Sequence, residues 1–418
     1  MIRFLITTYN VLFVLFSPFA VFTIIFSNKY RNDVLYRLSE RFAIYKGLNI
    51  NNCLKKTLWI HCASLGEVRS IEPILDNFKD KYYIVLTLVT KSGREYAKKL
   101  KKANFVALLP LDIYPIMYRA FSIIKPDVLV IVETEFWPNM LYIASNKRIK
   151  IIIINGRISA QSFKLYKNFK FFWSKFLKLI DLFIAKSRED ANRFIFFGNK
   201  SSKIVISGNI KYDKNITVIP KREDLFSKKE DFIFTAGSIR SGEEKIIIDA
   251  YSEINLVFSN IKFFVAPRHI SKINKLIKNL KNKDIEYSLF SEGFYNASFV
   301  LIDIFGKLQD IYAISDVCYI GGSFVNKGGH NPIEPAAYSK PILFGKNMDN
   351  FKIESEILIK YGGAFVVHSL DDLVYKIKKF IYNKKFLNDT GLKALKAVES
   401  QKGAIFFTIK QIENFLNV

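Results

Sequence analysis

Past the N-terminal segment, apolar positions fall into short runs rich in β-branched residues, alternating with longer stretches whose apolar residues recur at helical spacing. The short runs predict strands over Leu58–His61, Tyr83–Leu88, Phe105–Leu109, Val128–Val132, Ile151–Ile154, Leu182–Ala185 and Ile204–Ile206. The pattern then lapses over a charged stretch, Lys211 to Asp231, which contains Pro220 and no apolar periodicity and is the best candidate for a linker. It resumes with Phe232–Thr235, Phe263–Ala266, Phe299–Ile302, Val317–Ile320, Pro341–Phe344 and Phe365–Val367. Strands alternating with helices predict an α/β protein with parallel sheets covered on both faces. The expected architecture is two Rossmann-like domains with a cleft between them, over residues 29–215 and 216–418, the last helix being free to pack back on the first domain.

The N-terminus follows a different pattern. No charged residue occurs from Phe4 to Asn28, a length that suffices to cross a bilayer as a helix and exceeds a signal-peptide core. Lys29, Arg31, Arg37, Arg41 and Lys46 come directly after it, and the positive-inside tendency then predicts that the rest of the chain is cytoplasmic. Residues 1–28 are therefore expected to form a membrane anchor; Asn10 and Pro18 interrupt it, and an in-plane anchor or a buried core helix are the alternatives. A second segment sets Phe163, Tyr166, Phe169, Trp173 and Phe176 among Lys164, Lys167, Lys170, Lys175 and Lys178. It either packs its aromatic face on its own domain or rests on lipid headgroups. The lysines of Ile270–Lys283 lie opposite a plainly aliphatic face and read as solvated.

Composition narrows the function classes. A chain of 418 residues, half of them hydrophobic, is ample for two cores and is not disordered. Cys53, Cys62 and Cys318 are scattered, form no CxxC pair, and argue against a disulfide framework or a thiolate zinc site. A net charge of +25 suits an anionic membrane, an acidic sugar nucleotide or a nucleic acid, and equally a lysine-rich solvated surface, so charge alone decides nothing.

The distinctive short sequences sit immediately after predicted strands. They are Ser64-Leu65-Gly66-Glu67, Glu133-Thr134-Glu135-Phe136-Trp137-Pro138-Asn139, Asn155-Gly156-Arg157 and Gly208-Asn209-Ile210-Lys211 in the first half, then Ala236-Gly237-Ser238, Pro267-Arg268-His269 and Gly321-Gly322-Ser323. Open α/β sheets bind ligands at the carboxyl ends of their strands. Moving a sugar from a nucleotide to a hydroxyl needs a group to take the acceptor's proton and donors to stabilise the departing phosphate. Glu67 suits the first task, although a glutamate in a helix's first turn is also favoured by the macrodipole alone. Glu133 and Glu135 straddle one threonine and both reach the same crevice. Gly321-Gly322-Ser323 and Gly328-Gly329-His330 are turns through which backbone N–H groups can approach a phosphate. Asn331-Pro332-Ile333-Glu334 reads as a capped helix start, with Glu334 alternatively holding ribose hydroxyls. His61, His269 and His330 lie in or beside these motifs without paired carboxylates at ligand spacing, so no metal site is expected.

Taken together, the strings WIHCASLGEV, VETEFWPNM, NGRIS, GNIKYD, AGSIRSGEE, VAPRH and YIGGSFVNKGGHNPIEPAAYSKPILFGKNMDNF resemble the 3-deoxy-D-manno-octulosonic acid (Kdo) transferases of lipopolysaccharide synthesis, in order from Trp59 to Phe351. The resemblance implies a GT-B fold and an inverting, metal-independent transfer of Kdo from CMP-Kdo onto a lipid A precursor at the inner membrane, with no cofactor and no nucleic-acid partner. It places the catalytic base on Glu67, a second important acid on Glu133 or Glu135, and a residue that assists the transition state on Lys211. It carries CMP contacts over to Pro267, Arg268, Phe305, Gly306, Asn331, Pro332, Ile333 and Glu334, with His269 and the Gly321–Ser323 turn beside them. Phe305-Gly306-Lys307 departs from the Met-Gly-Glu common in the family, which puts the role of Lys307 in doubt. The rivals are a GT-B enzyme using another sugar nucleotide, and a non-catalytic basic protein that binds membranes or polyanions.

Overall fold

A computed structural model describes residues 1–26 (17–26 as backbone only), 36–48, 50, 54–213, 231–293, 295 and 297–416. The chain forms two compact units, one of residues 1–214 with 403–418 and one of residues 215–402.

The first unit holds a parallel sheet of β1 (Thr57–Cys62), β2 (Tyr83–Leu88), β3 (Phe105–Leu108), β4 (Val128–Val132), β5 (Lys150–Gly156), β6 (Leu182–Ala185) and β7 (Ile204–Ile206), in the order β3-β2-β1-β4-β5-β6-β7 among the described residues. Its strands read as unbroken apolar runs because both faces are covered. Trp59, Val85, Leu129, Ile131, Ile151 and Ile153 enter one core, and the alternate residues Leu58, Ile60, Ile84, Leu86, Val130 and Ile152 enter the other. The helix Ala404–Leu416 joins this unit: Ala404, Ile405 and Ile412 are buried in the second core, and Asp213 accepts the N–H groups of Gly403 and Ile405, each at 2.5 Å.

The N-terminal helix Ile2–Phe26 begins against this unit. Ile6 is buried in the first core, with Ile2, Leu5 and Tyr9 packed against it. Asn10, the polar residue that interrupts the apolar segment, accepts the Tyr114 N–H at 2.9 Å and donates to Asn139 Oδ1 at 2.9 Å. Among the described residues no helix is long and apolar enough to cross a membrane, and the expected anchor over residues 1–28 runs into residues outside that description. The aromatic segment forms two helices, Ala160–Asn168 and Lys170–Leu177, broken at Phe169. Phe163, Tyr166, Trp173 and Phe176 pack on the first core, whereas Leu165, Phe169 and Phe171 stay more than half exposed. The packing of Phe163, Tyr166, Trp173 and Phe176 follows the first expectation for this segment.

The second unit repeats the plan with β8 (Phe232–Ile239), β9 (Ile261–Pro267), β10 (Tyr287–Leu289), β11 (Phe299–Leu301), β12 (Val317–Ile320), β13 (Ile342–Phe344) and β14 (Ala364–Val366), parallel in the order β10-β11-β9-β8-β12-β13-β14. β10 was not foreseeable as an apolar run, because Tyr-Ser-Leu carries a serine at its centre. Most of the expected linker, residues 214–230, lies outside the described residues, as does Cys53; Cys62 and Cys318 are buried free thiols.

Candidate functional site

In the first sheet the strand order reverses between β1 and β4, and a crevice opens at the carboxyl ends of strands on either side of such a reversal. The acidic motifs leave the sheet there. After β1, Ser64 caps the helix Leu65–Ser70, its hydroxyl accepting the Glu67 N–H at 3.4 Å. The Glu67 carboxylate folds back to accept the Ala63 N–H at 2.6 Å and the Ser64 hydroxyl at 3.1 Å. The helix-start geometry and the placing of a carboxylate at the crevice are therefore one arrangement.

After β4 the backbone turns sharply, with Glu133 in the left-handed region at φ 61. Asn155, at the end of neighbouring β5, is also left-handed at φ 51. Such conformations cost free energy for residues with a Cβ and persist where surrounding contacts fix them. Here the Glu133 N–H donates to Ile154 O at 3.0 Å, and the Asn155 side chain takes the Ile210 N–H at 3.3 Å while its amide reaches Glu133 Oε1 at 3.4 Å. The contact to Ile210 sets the turn Ile210–Asp213, from which Lys211 Nζ meets Glu133 Oε1 at 2.6 Å. Lys211, at the edge of the stretch read as a linker, is thus part of the site.

The structure separates the two glutamates that the sequence left equivalent. Glu133 is bound to Lys211; Glu135 instead accepts the Trp137 indole N–H at 3.0 Å and lies 3.9 Å from His61 Nε2. His61 is fully buried, its Nδ1 held at 3.1 Å from Thr87 O and Oγ1, while Nε2 has no hydrogen-bond partner among the described residues. The Trp-Pro-Asn segment is fixed by Asp112, whose carboxylate accepts the N–H groups of Asn139 and Met140 at 3.0 Å each. Burial pushes the Asp112 carboxyl up to about 6 against those hydrogen bonds.

The electrostatics single out Glu67. Burial, then the Glu133 charge, lift its carboxyl to about 8, with a smaller push from Glu135; the Ala63 N–H and the Lys211 ammonium pull the other way. Burial would raise Glu133 too, but Lys211, with Lys186 and Arg157, holds it below the ordinary range. One carboxyl poised near neutrality beside one held ionised is the environment-driven split that marks acid and base roles.

In the second unit the order reverses between β8 and β12, and the remaining motifs gather at the carboxyl ends of β8, β9 and β12. Glu243, fully buried, organises them: its carboxylate accepts the N–H groups of Gly322 at 2.6 Å and of Ser323 and Phe324 at 3.0 Å, the Tyr319 hydroxyl at 2.8 Å and the Arg240 N–H at 2.8 Å. The Gly321–Ser323 turn therefore does not offer its N–H groups to a phosphate as expected; Gly321 itself donates to Gly237 O at 2.8 Å. Gly321 is there for close approach, since a Cβ would stand 2.5 Å from Ser238 O and from the Ile239 backbone. A buried glutamate in Gly-Glu-Glu looks like any helix-start acid in sequence, and only burial distinguishes it.

The Asn331–Glu334 start is also rearranged. The Asn331 side chain accepts the Ile333 N–H at 3.1 Å, the helix runs Ile333–Ala337, and Glu334 accepts the Asn331 amide at 3.4 Å, so Glu334 closes no backbone capping bond. Pro267 ends β9, and Arg268 is tied by its N–H to Ile239 O at 2.9 Å. Burial and the neighbouring Arg240 lower the Arg268 guanidinium's affinity for its proton, while Glu334 opposes them. His269 Nε2 stands 3.2 Å from Arg240 Nη1. Phe305 is 82% exposed, Gly306 is left-handed at φ 88, and Lys307 pairs with Asp310 at 3.4 Å at the start of the helix Leu308–Ile314. Among the described residues no group of three His, Cys, Asp or Glu side chains is arranged to hold a metal ion.

Comparison with known proteins places this arrangement. A family model described as 3-deoxy-D-manno-octulosonic-acid transferase (kdotransferase) matches residues 36–214, the part that carries Glu67, Glu133, Glu135 and Lys211. A bifunctional glycosyltransferase/methyltransferase of Fusobacterium nucleatum is 32% identical over 373 residues, covering 85% of this chain and 56% of that protein, so the chain spans little more than half of this relative. A 3-deoxy-D-manno-octulosonic acid transferase of Aquifex aeolicus is 32% identical over 341 residues, covering 81% of this chain and 89% of that one. The crystal structure of a glycosyltransferase from Rickettsia africae shares the fold, with a TM-score of 0.63 at 12% identity over 87% of this chain and 99% of that one. The two parallel-sheet α/β units resemble those of GT-B glycosyltransferases. The chain belongs to the 3-deoxy-D-manno-octulosonic acid transferase family of glycosyltransferases.

Proposed function

We propose that this enzyme transfers Kdo from CMP-Kdo to a lipid A precursor by direct displacement with inversion. The observation that carries the reading is Glu67, a carboxyl held near neutrality at the first sheet's reversal point, beside the Glu133–Lys211 pair. Its carboxylate takes the proton of an acceptor hydroxyl. The freed oxygen attacks the anomeric carbon through an oxocarbenium-like state, and the bond to the CMP phosphate breaks with the electron pair leaving on CMP. Attack from the face opposite the departing phosphate inverts the configuration. The Lys211 ammonium supplies a fixed positive charge beside the acids, which supports a reaction that needs no metal. In the second unit, Pro267, Arg268, Asn331 and Glu334 take the nucleotide. The deciding experiment offers in-situ-generated CMP-Kdo and a tetraacyl lipid A precursor and resolves products by mass. One or more added Kdo units, lost in Glu67→Gln, is the expected result; donor binding without product in the wild-type enzyme refutes the acceptor, and absence of donor binding refutes the donor.

We also read the enzyme as attached to the inner membrane with both units on the cytoplasmic side. Phe4, Leu15 and Phe16 of the first helix are more than two-thirds exposed, and Tyr9 on that helix lies 6.3 Å from Phe172, next to the exposed Phe171. Lys164, Lys167 and Lys170 flank the exposed Leu165 and Phe169, an apolar surface bordered by cations that suits anionic headgroups. Reversing the charge of these three lysines should weaken binding to anionic liposomes; unchanged flotation would remove this surface from the reading.

A further inference from the structure

We propose that Arg240 is the receptor for the carboxylate of the acidic sugar, a second anion subsite beside the one Arg268 provides for the nucleotide's phosphate. The proposal rests on the reading of the donor as a CMP-linked acidic sugar.

Arg240 follows directly on β8, the strand at the second sheet's reversal point, so it leaves the sheet where ligands bind. Its backbone is fastened twice over: Ser238 before it is left-handed at φ 58, and its own N–H donates at 2.8 Å to the buried Glu243 that also holds the turn after β12. The side chain is aimed by two imidazoles. Nε donates to His330 Nε2 at 3.2 Å, and Nη1 lies 3.2 Å from His269 Nε2. To accept from a guanidinium, each imidazole must be neutral with its proton on Nδ1. Burial, then the charges of Arg268 and Arg240, lower the His330 imidazole to about 3, so it stays an uncharged acceptor at any working pH.

These partners orient Arg240 without neutralising it, and they use two of the guanidinium's five N–H donors. Two guanidiniums, Arg240 and Arg268, are thereby held close enough to oppose each other's charge, with Glu334 as the acid acting on Arg268. Beyond Arg240 a pocket of about 110 Å³ adds Lys272 and Lys327 to its lining; its acidic member, Glu244, is already engaged by the Gly242 N–H at 2.6 Å and by Lys275 at 3.2 Å. Holding like charges side by side is unfavourable until a ligand brings negative charge to them. A single phosphodiester brings one charge. A CMP-linked sugar acid brings a second on its carboxylate, which the planar fork of an arginine can take with two parallel hydrogen bonds.

The test separates the sugar from the nucleotide. Full-length wild type, Arg240→Gln and Arg240→Lys are compared in CMP binding, CDP binding and KM for CMP-Kdo generated in situ. The expected result for Arg240→Gln is CMP affinity within about twofold of wild type and a KM for CMP-Kdo raised roughly 10- to 100-fold, the range of a lost charged hydrogen bond. Arg240→Lys, which keeps the charge and loses the fork, should fall between. Retained CMP binding shows that the Gln variant is folded; should it not fold, the split is read from the Lys variant. Equal losses for CMP and CMP-Kdo would assign Arg240 to the nucleotide phosphate and overturn the proposal, as would no change in either. A CDP preference over CMP that vanishes in Arg240→Gln would make the pair a diphosphate site and overturn it as well. Failure of the donor reading itself shows separately, as a wild-type enzyme that neither binds CMP nor turns over CMP-Kdo.

Discussion

Replacing Glu133 with glutamine should move the acid limb of the pH–rate profile toward lower pH. Glu67 sits at about 8 because burial comes first and the Glu133 charge second among the pushes on it. As a general scale, a unit charge about 4–8 Å away at an effective dielectric of about 20 contributes about 2–4 kcal/mol, which corresponds to roughly 1.5–3 pKa units before relaxation. Lys211, released from its 2.6 Å contact with Glu133, then acts on Glu67 with less compensation and lowers it further. The shift should be at least about one unit even after generous solvent screening. A base must be ionised to work, so the fraction of competent enzyme at pH 6 should rise roughly tenfold relative to each variant's own plateau. The plateau itself should drop, because the variant also loses the ion pair that holds Lys211 beside Glu67. The assay is kcat/KM against pH, which reports the free enzyme. Lys211→Met supplies the opposite sign, raising Glu67 and pushing the acid limb upward. An acid limb that stays put in both variants, or moves the same way in both, would refute Glu67 as the base whose titration limits the rate.

Three further outcomes follow from the packing. Because the folded-state carboxyl of Glu67 lies at about 8 against an ordinary 4.5, its ionisation costs stability progressively across that interval; Glu67→Gln should therefore raise Tm at pH 8.5 and leave it unchanged at pH 4.5, with an upper bound of about 5 kcal/mol. Arg94 and Glu40 form a buried bidentate pair at 2.6 and 2.8 Å, with the Leu108 N–H on the same carboxylate at 2.8 Å, so Arg94→Met strands a buried charge and should cost about 3–5 kcal/mol in urea unfolding. Glu243→Gln leaves one acceptor oxygen where several N–H and O–H groups converge; it should cost about 2–4 kcal/mol and weaken CMP binding in calorimetry, and an unchanged CMP affinity would show that the Gly321–Phe324 turn does not shape the nucleotide's place.

How far the site could be read in advance depended on whether a residue's neighbours were close in sequence. Nearly every strand was visible because strands covered on both faces must be apolar throughout, and the exception, Tyr287–Leu289, is short and polar at its centre. Motifs at strand ends were visible because the topology of parallel sheets sends them to one edge. What sequence could not supply was the pairing of residues brought together from different strands. Glu133 and Glu135 are two positions apart, yet one meets Lys211 from beyond β7 and the other meets Trp137 and His61. The Gly-Gly-Ser turn looked like a phosphate cradle because its N–H groups were counted without Glu243, which lies about 80 positions upstream and takes them.

Glu67 shows why the bland and the functional reading of a motif need not compete. A glutamate three residues after a helix-capping serine folds back over the helix start, and here it does so onto the Ala63 N–H and the Ser64 hydroxyl. Those two bonds fix the carboxylate without exhausting its lone pairs, since each oxygen can accept twice. The same fold-back buries the carboxyl at the sheet's reversal point, where the missing water and the Glu133 charge make it basic. A cap on a fully solvated helix would leave the carboxyl near its ordinary value, and a carboxyl buried without the cap would lack a fixed direction. At this position the capping geometry supplies the fixed orientation that the proposed general base needs, and the place at the sheet's reversal point supplies the burial that tunes it.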